Sequence, residues 1–301
     1  MVMSRTSFPK DLEPGLNTHF GLEYANHPTE WSMIFNQEPS NKAFEEDVLS
    51  FGFGAAPIVG EGEDYPDDHG GQGWSQVYVH NKIALKFGIT EEAIDDNLYQ
   101  SQGPAYAREL ARALQHTKEI QAASVLNNGF TSYTTGDGQP LLDTAHPLAG
   151  GGTFNNELTT PANLSEVSLE DVLILVRKAV NDRLVPKALM PKYLVVPPEL
   201  EYDALRLTRS AQRPGTADND VNAVRAKGIF NRDPVVITRL SSSTAWFVTT
   251  DCPQGLKLIQ RRGVRRGQEQ VFNTKVFQYS ADERYSVGVT DPRGIWGTPG
   301  V

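Results

Sequence analysis

Hydrophobic residues follow two different periods along this chain, and the order of those periods predicts an α+β fold. Between residues 104 and 127, apolar and small side chains recur every three or four positions, which is typical of an amphipathic helix. This helix is predicted to begin at Pro104, where Gly103-Pro104 interrupts a shorter helix starting near Thr90, and to end at Asn127-Asn128-Gly129. It is about 24 residues or ~36 Å long. One apolar and one polar face predict that it lies across a sheet.

Further elements follow the long helix. Ser168 is predicted to cap an amphipathic helix, residues 193–196 form a short buried strand, and Pro198 opens another helix that runs to Arg209. Alternating or continuous apolar runs predict five later strands at residues 235–238, 245–250, 256–260, 269–279 and 285–289.

The N-terminal third has a different character. Four prolines and scattered large apolar side chains in residues 1–50 predict an arm that lies extended against a protein surface. Residues 51–59 and 74–87 predict two extended stretches around residues 60–71, G-E-G-E-D-Y-P-D-D-H-G-G. This tip holds five acids and four glycines, so it cannot pack into a core of its own. The sequence therefore predicts a long hairpin that projects from the body.

Charge divides the chain into two unequal halves. Residues 1–150 hold 8 Lys and Arg against 21 Asp and Glu, whereas residues 151–301 hold 20 against 16. The net charge of −9 excludes a general nucleic-acid binder, because phosphate repels an acidic protein. Because the two halves carry opposite net charge, we expect copies of the chain to attract each other. The single cysteine, Cys252, excludes an internal disulfide framework, and no apolar run reaches membrane-spanning or signal-peptide length.

Searches for catalytic and binding motifs give no site above background. The acidic tip fails the EF-hand spacing, and no Walker loop, dinucleotide fingerprint or nucleophile elbow occurs. His116 and Glu119 share a helix face and are interpreted as surface residues. Asp143 and His146 lie in a turn-rich stretch, where an Asx turn explains Asp143 and an acid–base pair is the alternative. No catalytic residue, metal or cofactor is predicted, and the chain is not expected to be an enzyme.

Four passages, together with the order of the elements, carry a resemblance to a known family. These are D-G-Q-P-L-L-D-T-A-H-P after the long helix, P-K-Y-L-V-V-P-P-E-L, A-W-F-V-T-T-D, and the ending V-F-Q-Y-S-A-D-E-R-Y-S-V-G-V-T-D-P-R-G-I-W-G. The chain resembles the major capsid protein of tailed double-stranded-DNA phages, with the Hong Kong 97-type fold. The resemblance implies an N-terminal arm (1–50), an extension loop (51–90), a spine helix of the peripheral domain (91–130), a mainly axial domain (131–265), and closing peripheral strands with a tail (266–301).

The same resemblance implies a shell subunit. It would self-assemble as hexamers and pentamers into an icosahedral head in the virion, built in the host cytoplasm, which encloses double-stranded DNA without sequence-specific contact. Portal, scaffolding and decoration proteins are the further partners expected, scaffolding being a separate protein because the arm begins close to Met1. No membrane is involved. An encapsulin-like nanocompartment shell is the alternative of the same fold, and a hydrolase using Asp143 and His146 is the alternative of another class.

Within that family the acidic tip would reach over an adjacent subunit. The charge division suggests that its carboxylates face the basic run R-R-G-V-R-R-G of another copy. The residues predicted to meet are Glu61, Glu63, Asp64, Asp67 and Asp68 on one side, and Arg261, Arg262, Arg265 and Arg266 on the other. A solvated strand end is the alternative interpretation of the arginines.

Overall fold

A computed structural model describes residues 9–95, 99–213 and 220–301. The helices in these ranges are α1 (Pro9–Asn26), α2 (Glu91–Asp95), α3 (Tyr99–Asn127), α4 (Glu166–Lys178), α5 (Glu201–Arg209) and α6 (Ala223–Ala226). The strands are β1 (Asn36–Pro39), β2 (Phe44–Phe51), β3 (Gly71–Val79), β4 (Asn81–Ile89), β5 (His146–Pro147), β6 (Thr153–Phe154), β7 (Pro191–Val196), β8 (Val235–Val236), β9 (Trp246–Thr250), β10 (Leu256–Gln270), β11 (Phe277–Val289) and β12 (Ile295–Thr298). Helices and sheets are both present, so the predicted α+β class is confirmed.

The long helix α3 lies on a four-stranded sheet with the strand order β1-β10-β11-β4. Alternate residues of β11 are buried toward the helix, where Phe277, Tyr279 and Ala281 pack with Leu110 and Leu114 of α3. The even-numbered residues of β11 between 278 and 284 face the other side, which no helix covers in the described part of the chain. The sheet therefore has one buried and one open face.

The helix α3 is 29 residues long and passes through Pro104 without ending. The predicted interruption there was wrong. In the interior of a helix a proline removes one hydrogen bond, but this loss does not outweigh the apolar contacts that follow it along α3. Ala107 and Ala111, one turn apart, are fully buried against α1 and the sheet.

Residues 9–26 do not lie extended, and for this part of the predicted arm the expectation was wrong. Pro9 opens a helix of 18 residues, and Leu16, Phe20 and Tyr24 recur every four positions on the face that meets α3. Leu16 and Phe20 are each only 2% exposed. The spacing of these three residues was the available sign of a helix, since proline is tolerated in a first turn.

A second four-stranded sheet, β12-β9-β7-β8, forms the other core together with α4 and α5. The predicted strand at 193–196 and the helix from Pro198 to Arg209 are confirmed, the latter as a single 3-10 turn followed by α5. The cap of α4 is Ser165 rather than Ser168. Ser168 is the fourth residue of a reciprocal capping box, so both serines satisfy backbone N–H groups at this helix start.

The strands β2 and β3 form a separate two-stranded ribbon. They pair antiparallel from Phe44↔Val79 to Phe51↔Gly71, and residues 52–70 connect them without a helix or strand. The hairpin thus exists, but its strands lie at 44–51 and 71–79 rather than at 51–59 and 74–87. The ribbon strands leave the first sheet at opposite edges, because β2 follows β1 and β3 precedes β4.

The strand predicted at 269–279 is in fact a reversal. The chain turns between Gln270 and Phe277, and Lys275 occupies the left-handed region with φ 54°. Val271 donates a backbone hydrogen bond to Val276 across this turn. Apolar residues on both sides concealed the turn in the sequence, because Asn273 and Thr274 are its only typical turn residues.

Candidate intersubunit surface

The ribbon has one face on the body and one in solvent. Leu49 and Tyr78 point inward and are 6% and 3% exposed. On the opposite face Phe44, Val77 and Val79 are 54%, 49% and 63% exposed, although each is strongly apolar. Phe44 and Val79 are directly paired across the two strands, so these side chains form a continuous apolar strip.

The loop 52–70 exposes further large apolar side chains at the far end of the ribbon. Phe53 and Tyr65 are 67% and 84% exposed, and Ile58 is completely exposed. Soluble monomers rarely display contiguous apolar surface of this kind, and where it occurs it marks an interaction site. The ribbon with its loop is therefore the candidate functional site of the chain.

A buried polar network fixes the base of the ribbon to the body. Asp47 accepts hydrogen bonds from Lys257 Nζ and from Thr290 Oγ1, the latter at 2.8 Å. The Tyr78 hydroxyl lies 2.6 Å from Thr290 Oγ1, and burial raises the pKa of Tyr78. His80 is buried at the junction of β3 and β4 between the Ser40 and Ser286 hydroxyls. Because these groups are satisfied only in one arrangement, the ribbon leaves the body in a defined direction.

The tip carboxylates have few partners within the chain. Asp68 accepts a 2.7 Å hydrogen bond from Gly54 N and pairs with Arg183, and these contacts lower the pKa of its carboxyl group, the Gly54 bond most strongly. Glu63 accepts from Gly60 N at 3.0 Å, and Asp64 accepts from the adjacent Tyr65 N. In the described ranges Glu61 and Asp67 have no hydrogen-bond or ion-pair partner.

The four arginines do not form one surface. Arg262 and Arg265 lie on the open face of the sheet, where both pair with Asp282, Arg265 at 3.3 Å. Arg266 points to the other side, where it donates to Asn17 O at 2.9 Å and stacks on Phe20. Arg261 is half-buried. No tip carboxylate contacts any of the four within the described chain, so the pairing between copies remains a prediction.

A cleft of about 460 Å³ lies at the base of the ribbon, between β3, the C-terminal turns of α3 and β11. Its lining includes Gln76 and Val77 of β3, Gln121 and Ser124 of α3, and Ser286 of β11. None of the lining residues is Asp, Glu, Lys, Arg or His. The cleft can therefore offer hydrogen bonds and apolar contact, but no ion pair.

The residues considered for hydrolysis have structural roles. Asp143 Oδ1 accepts from Ala145 N at 2.7 Å, which confirms the Asx turn. His146 is fully buried, stacks on Phe154 and pairs through Nδ1 with Asp137 Oδ2 at 2.6 Å. Although burial opposes it, hydrogen bonds from His146 and Thr135 lower the pKa of Asp137. Asp143 and His146 therefore do not form an acid–base pair, and the hydrolase interpretation was wrong.

His116 and Glu119 also differ from expectation. Glu119 is buried rather than exposed, and its carboxylate accepts from the backbone N–H groups of Glu30 and Trp31 at 2.8 and 3.1 Å. His116 instead accepts from Arg239. In the described ranges no three His, Cys, Asp or Glu side chains are grouped so that they could hold a metal ion, and none of the helices there is long and apolar enough to cross a membrane.

Two buried ionic clusters were missed by sequence reasoning. Lys118 pairs with Glu283 at 2.7 Å, with the two side chains 5% and 0% exposed. Arg293 of the C-terminal passage stacks 4.3 Å over Phe154 and pairs with Asp182 and Asp291. The sequence motif D-P-R-G could have indicated the second cluster, because Asp291 caps the turn by accepting a hydrogen bond from the backbone N–H of Arg293. The partners of Lys118 lie far away in the chain, and nothing local indicated them.

Comparisons with known proteins agree with this architecture. The procapsid protein of bacteriophage JBD30 is 16% identical, with a TM-score of 0.53 over 97% of this chain and 75% of that chain. A virus-like particle from Pyrococcus furiosus is 8% identical, with a TM-score of 0.59 over 95% and 98%. The SrpI encapsulin from Synechococcus elongatus PCC 7942 is 11% identical, with a TM-score of 0.52 over 92% and 89%. No curated protein sequence matches the chain significantly.

The family comparison is more specific. Residues 75–297 match the model of a family described as phage capsid protein, which is more than half of the chain. The resemblance inferred from the sequence is thereby confirmed, and with it the Hong Kong 97-type fold. The chain belongs to the phage capsid protein family and is a structural protein of the phage head rather than an enzyme.

Proposed function

We propose that the chain assembles through hexamers and pentamers into an icosahedral head that encloses double-stranded DNA. The observation that carries this proposal is the ribbon with its loop, which holds large apolar side chains in solvent although the described chain already has three apolar cores. Burial of these side chains against neighbouring copies supplies the driving force for assembly.

The charge of the chain suits such a container. A net charge of −9 disfavours tight binding of packaged DNA, so the genome can enter and leave. Portal and scaffolding proteins, and decoration proteins on the finished head, are the further partners, and assembly takes place in the host cytoplasm.

The expressed chain, examined by electron microscopy of purified particles, tests this proposal. Closed shells with five- and six-fold capsomers are expected. A chain that stays monomeric at micromolar concentration, with or without a co-expressed scaffolding protein, would overturn it.

The acidic tip is proposed to face the basic strand β10 of another copy. Arg262 and Arg265 are the members of the basic run that lie on the open sheet face, where both pair with the carboxylate of Asp282. Glu61 and Asp67 are the tip acids with no partner in the described chain. Each pair would contribute only ~0.2–1 kcal/mol, but a shell repeats it in every copy.

The double substitution Glu61→Gln/Asp67→Asn should slow assembly at low ionic strength. The difference from wild type should vanish near 1 M salt, where the Debye length is ~3 Å. Light scattering during assembly measures both rates. The matched control, Glu199→Gln/Glu201→Gln, lies on the exposed 3-10 turn before α5 and the first residue of α5; it removes the same charge elsewhere and should leave the rate unchanged. Equal effects from both variants would reject the tip contact.

A nanocompartment shell around a protein cargo is the second candidate, because an encapsulin shares the fold. The contents of purified particles separate the two functions. Nuclease-protected double-stranded DNA in particles from infected cells supports the phage head, whereas a co-purifying enzyme in particles free of DNA supports the compartment.

A further inference from the structure

Two side chains hold both places where the ribbon joins the body. The chain enters the ribbon through residues 40–43, between β1 and β2, and leaves it through His80 alone, between β3 and β4. The Arg284 guanidinium donates to a carbonyl oxygen of each connection, to His80 O at 3.1 Å and to Ala43 O at 3.5 Å. The His80 ring spans the same gap, because its Nε2 lies 3.2 Å from Ser40 Oγ. We call His80, Ser40 and Arg284 the ribbon clamp.

The hydrogen bonds around His80 fix the position of its proton. Ser40 Oγ donates its only proton to Glu45 Oε1 at 2.6 Å and already accepts from Lys42 N at 3.2 Å. His80 Nε2 is therefore the donor toward Ser40 Oγ, and in a neutral ring Nδ1 is then the acceptor for the Ser286 hydroxyl at 3.0 Å. All of these hydrogen bonds are satisfied only by a neutral imidazole in the Nε2–H form.

A second proton on the ring would break this arrangement. Nδ1 would become a donor, and the Ser286 hydroxyl would have to turn its own proton away, although Ser286 Oγ has no other hydrogen-bond partner in the described ranges. His80 and Ser286 are only 4% and 6% exposed, so solvent has little access to replace the lost hydrogen bond. Protonation of His80 therefore costs the closed clamp one of its contacts.

The charged groups around the ring also oppose a second proton. Arg284 of β11 and Arg261 of β10 are the cations near it, and Glu45 of β2 is the anion. Glu45 already pairs with Lys42 at 2.9 Å, which weakens its attraction for a charged ring. Burial, and then the charge of Arg284, lower the pKa of His80 from its ordinary value. The contacts and the charges thus act in the same direction.

We propose that His80 makes the base of the ribbon sensitive to pH, so that the ribbon clamp is closed at neutral pH and opens in mild acid. The open clamp exposes the ring to water, where a histidine takes up a proton at about pH 6.5. The closed clamp resists this proton, so the open form binds more protons and opening is favoured as the pH falls through this value. Between pH 7.5 and pH 5.5 the equilibrium constant of opening should rise by up to about tenfold. The switch belongs to the single chain and does not depend on the proposed assembly.

Hydrogen exchange of the unassembled full-length chain, followed by mass spectrometry of its peptides, tests the switch. The variant His80→Gln keeps a side-chain donor and acceptor but cannot take up a proton. The chemistry of exchange changes equally with pH in both proteins, so the ratio of their exchange rates at each pH isolates the effect of His80. In peptides that cover residues 40–48 and 74–82, the ratio of wild type to variant should be up to about tenfold higher at pH 5.5 than at pH 7.5.

The control comparisons are made within the same experiment. Peptides from α4 and β9, which belong to the second core, should keep a constant ratio. The matched variant His69→Gln removes a histidine that is exposed on the loop at the far end of the ribbon, and it should exchange like wild type at both pH values. A ratio at the ribbon base that does not change with pH overturns the inference. An equal change in every peptide also overturns it, because His80 would then titrate only when the whole chain unfolds.

A second measurement observes the ring directly and does not need a folded His80 variant. Long-range nitrogen–proton NMR spectra of the histidine-labelled chain distinguish the Nε2–H, Nδ1–H and charged forms of each ring. The chain has six histidines, so Gln substitution of the other five identifies the His80 signal by elimination. His80 should be in the neutral Nε2–H form at pH 7.5. A neutral Nδ1–H ring or a charged ring at that pH overturns the inference.

Discussion

Lys118 illustrates how much a single buried side chain contributes to this body. Its ammonium group donates to Glu283 and to the Tyr24 hydroxyl, each at 2.7 Å, and lies 5.1–5.8 Å from the ring centres of Tyr24, Trp31 and Tyr285. Burial, and then the charge of Glu283, raise the pKa of Tyr24. The cluster joins α3, β11 and the N-terminal segment, so three distant parts of the chain depend on one pair of charges.

Removal of one partner of this pair should destabilise the fold by about 3–5 kcal/mol, because the other charge stays buried without compensation. Lys118→Met and Glu283→Gln are the single variants, and urea unfolding of the unassembled chain measures the free energy. The double variant Lys118→Met/Glu283→Leu should recover most of the loss. Arg112→Ala, which breaks solvent-accessible ion pairs with Glu23 and Glu109, should cost much less. A comparable loss there would contradict the role of burial.

Glu157 should make stability depend on pH. Burial, followed by the nearby Asp143 carboxylate, raises the pKa of Glu157 from 4.5 to about 7. Between these values the folded chain holds the proton more tightly than the unfolded chain, so the free energy of unfolding falls as the pH rises through this window. Solvent reaches the side chain, so the loss is on the order of 1 kcal/mol.

The substitution Glu157→Gln should abolish this pH-dependent fall in the free energy of unfolding. Urea unfolding at pH 5 and pH 8 measures it for both proteins, and the contributions of all other groups cancel in the comparison. Wild type should lose more stability than the variant between the two pH values. The same change in both proteins would show that Glu157 titrates normally in the folded chain.

At this scale the sequence predicts only contacts that are local. The Asx turn of Asp143 involves a residue two positions away, and it was predicted correctly. Glu119 was misplaced because its partners, Glu30 and Trp31, lie nearly ninety residues earlier. Such pairing depends on the packing of whole elements, which periodicity along one segment does not describe.

Among the elements, α1 completes the core between α3 and the first sheet. Phe20 is its central residue, since it is buried, stacks with Tyr24 at 5.8 Å and lies under the Arg266 guanidinium. α1 is joined to the rest by a short connection, so it can detach as a unit when this contact is lost.

Phe20→Ala should cost about 3–5 kcal/mol and release α1 first. Limited proteolysis is expected to cleave the variant between residues 26 and 31 at protease concentrations that leave wild type intact. Leu22→Ala, at a side chain 58% exposed on the same helix, is the control and should cleave like wild type. Uniform cleavage throughout the variant would mean that α1 and the body unfold together.

Elements whose apolar residues follow one clear spacing were predictable from the sequence. Elements that also contain charged residues or prolines, which disfavour the structure they form, were not. α3 and α4 follow clear helical spacing over several turns. β2 reads F-E-E-D-V-L-S-F, and its charged residues concealed a strand that pairs with β3 alone in the described part of the chain. In α1 the prolines indicated an extended segment, although the spacing of its apolar residues is that of a helix.

For the whole molecule, folding and assembly use different parts of the chain. The loop 52–70 contributes nothing to the three apolar cores of the described chain, and Phe51 and Gly71 are already paired at its ends. Replacement of residues 52–70 by Asn-Gly, a two-residue turn that suits such a hairpin, should therefore preserve the fold.

The shortened chain should unfold within ~1 kcal/mol of wild type and form no shells. Urea unfolding measures the first property and sedimentation velocity the second. A variant with a Gly- and Ser-containing loop of the original length controls for loop length. It should also fail to assemble, because it lacks the apolar residues. Shells from either variant would show that assembly does not need the loop.

The family could be predicted from the order of the elements even though individual bounds were wrong. A hairpin, a long helix and a strand-rich ending are predicted in that order, and the structure has them in that order. The different orientations of Arg262 and Arg266 could not be predicted, because they depend on the placement of β10 against α1.

The attachment of the ribbon to both edges of the first sheet has a mechanical consequence. β2 leaves from the β1 edge and β3 enters the β4 edge, with β10 and β11 hydrogen-bonded between them. Tension on the far end of the ribbon is therefore carried by peptide bonds to two opposite margins, and it loads the intervening strands in shear along their whole length. The ribbon is thus attached to a hydrogen-bonded sheet at both edges, so a force applied to the ribbon of one copy is distributed over many inter-strand hydrogen bonds.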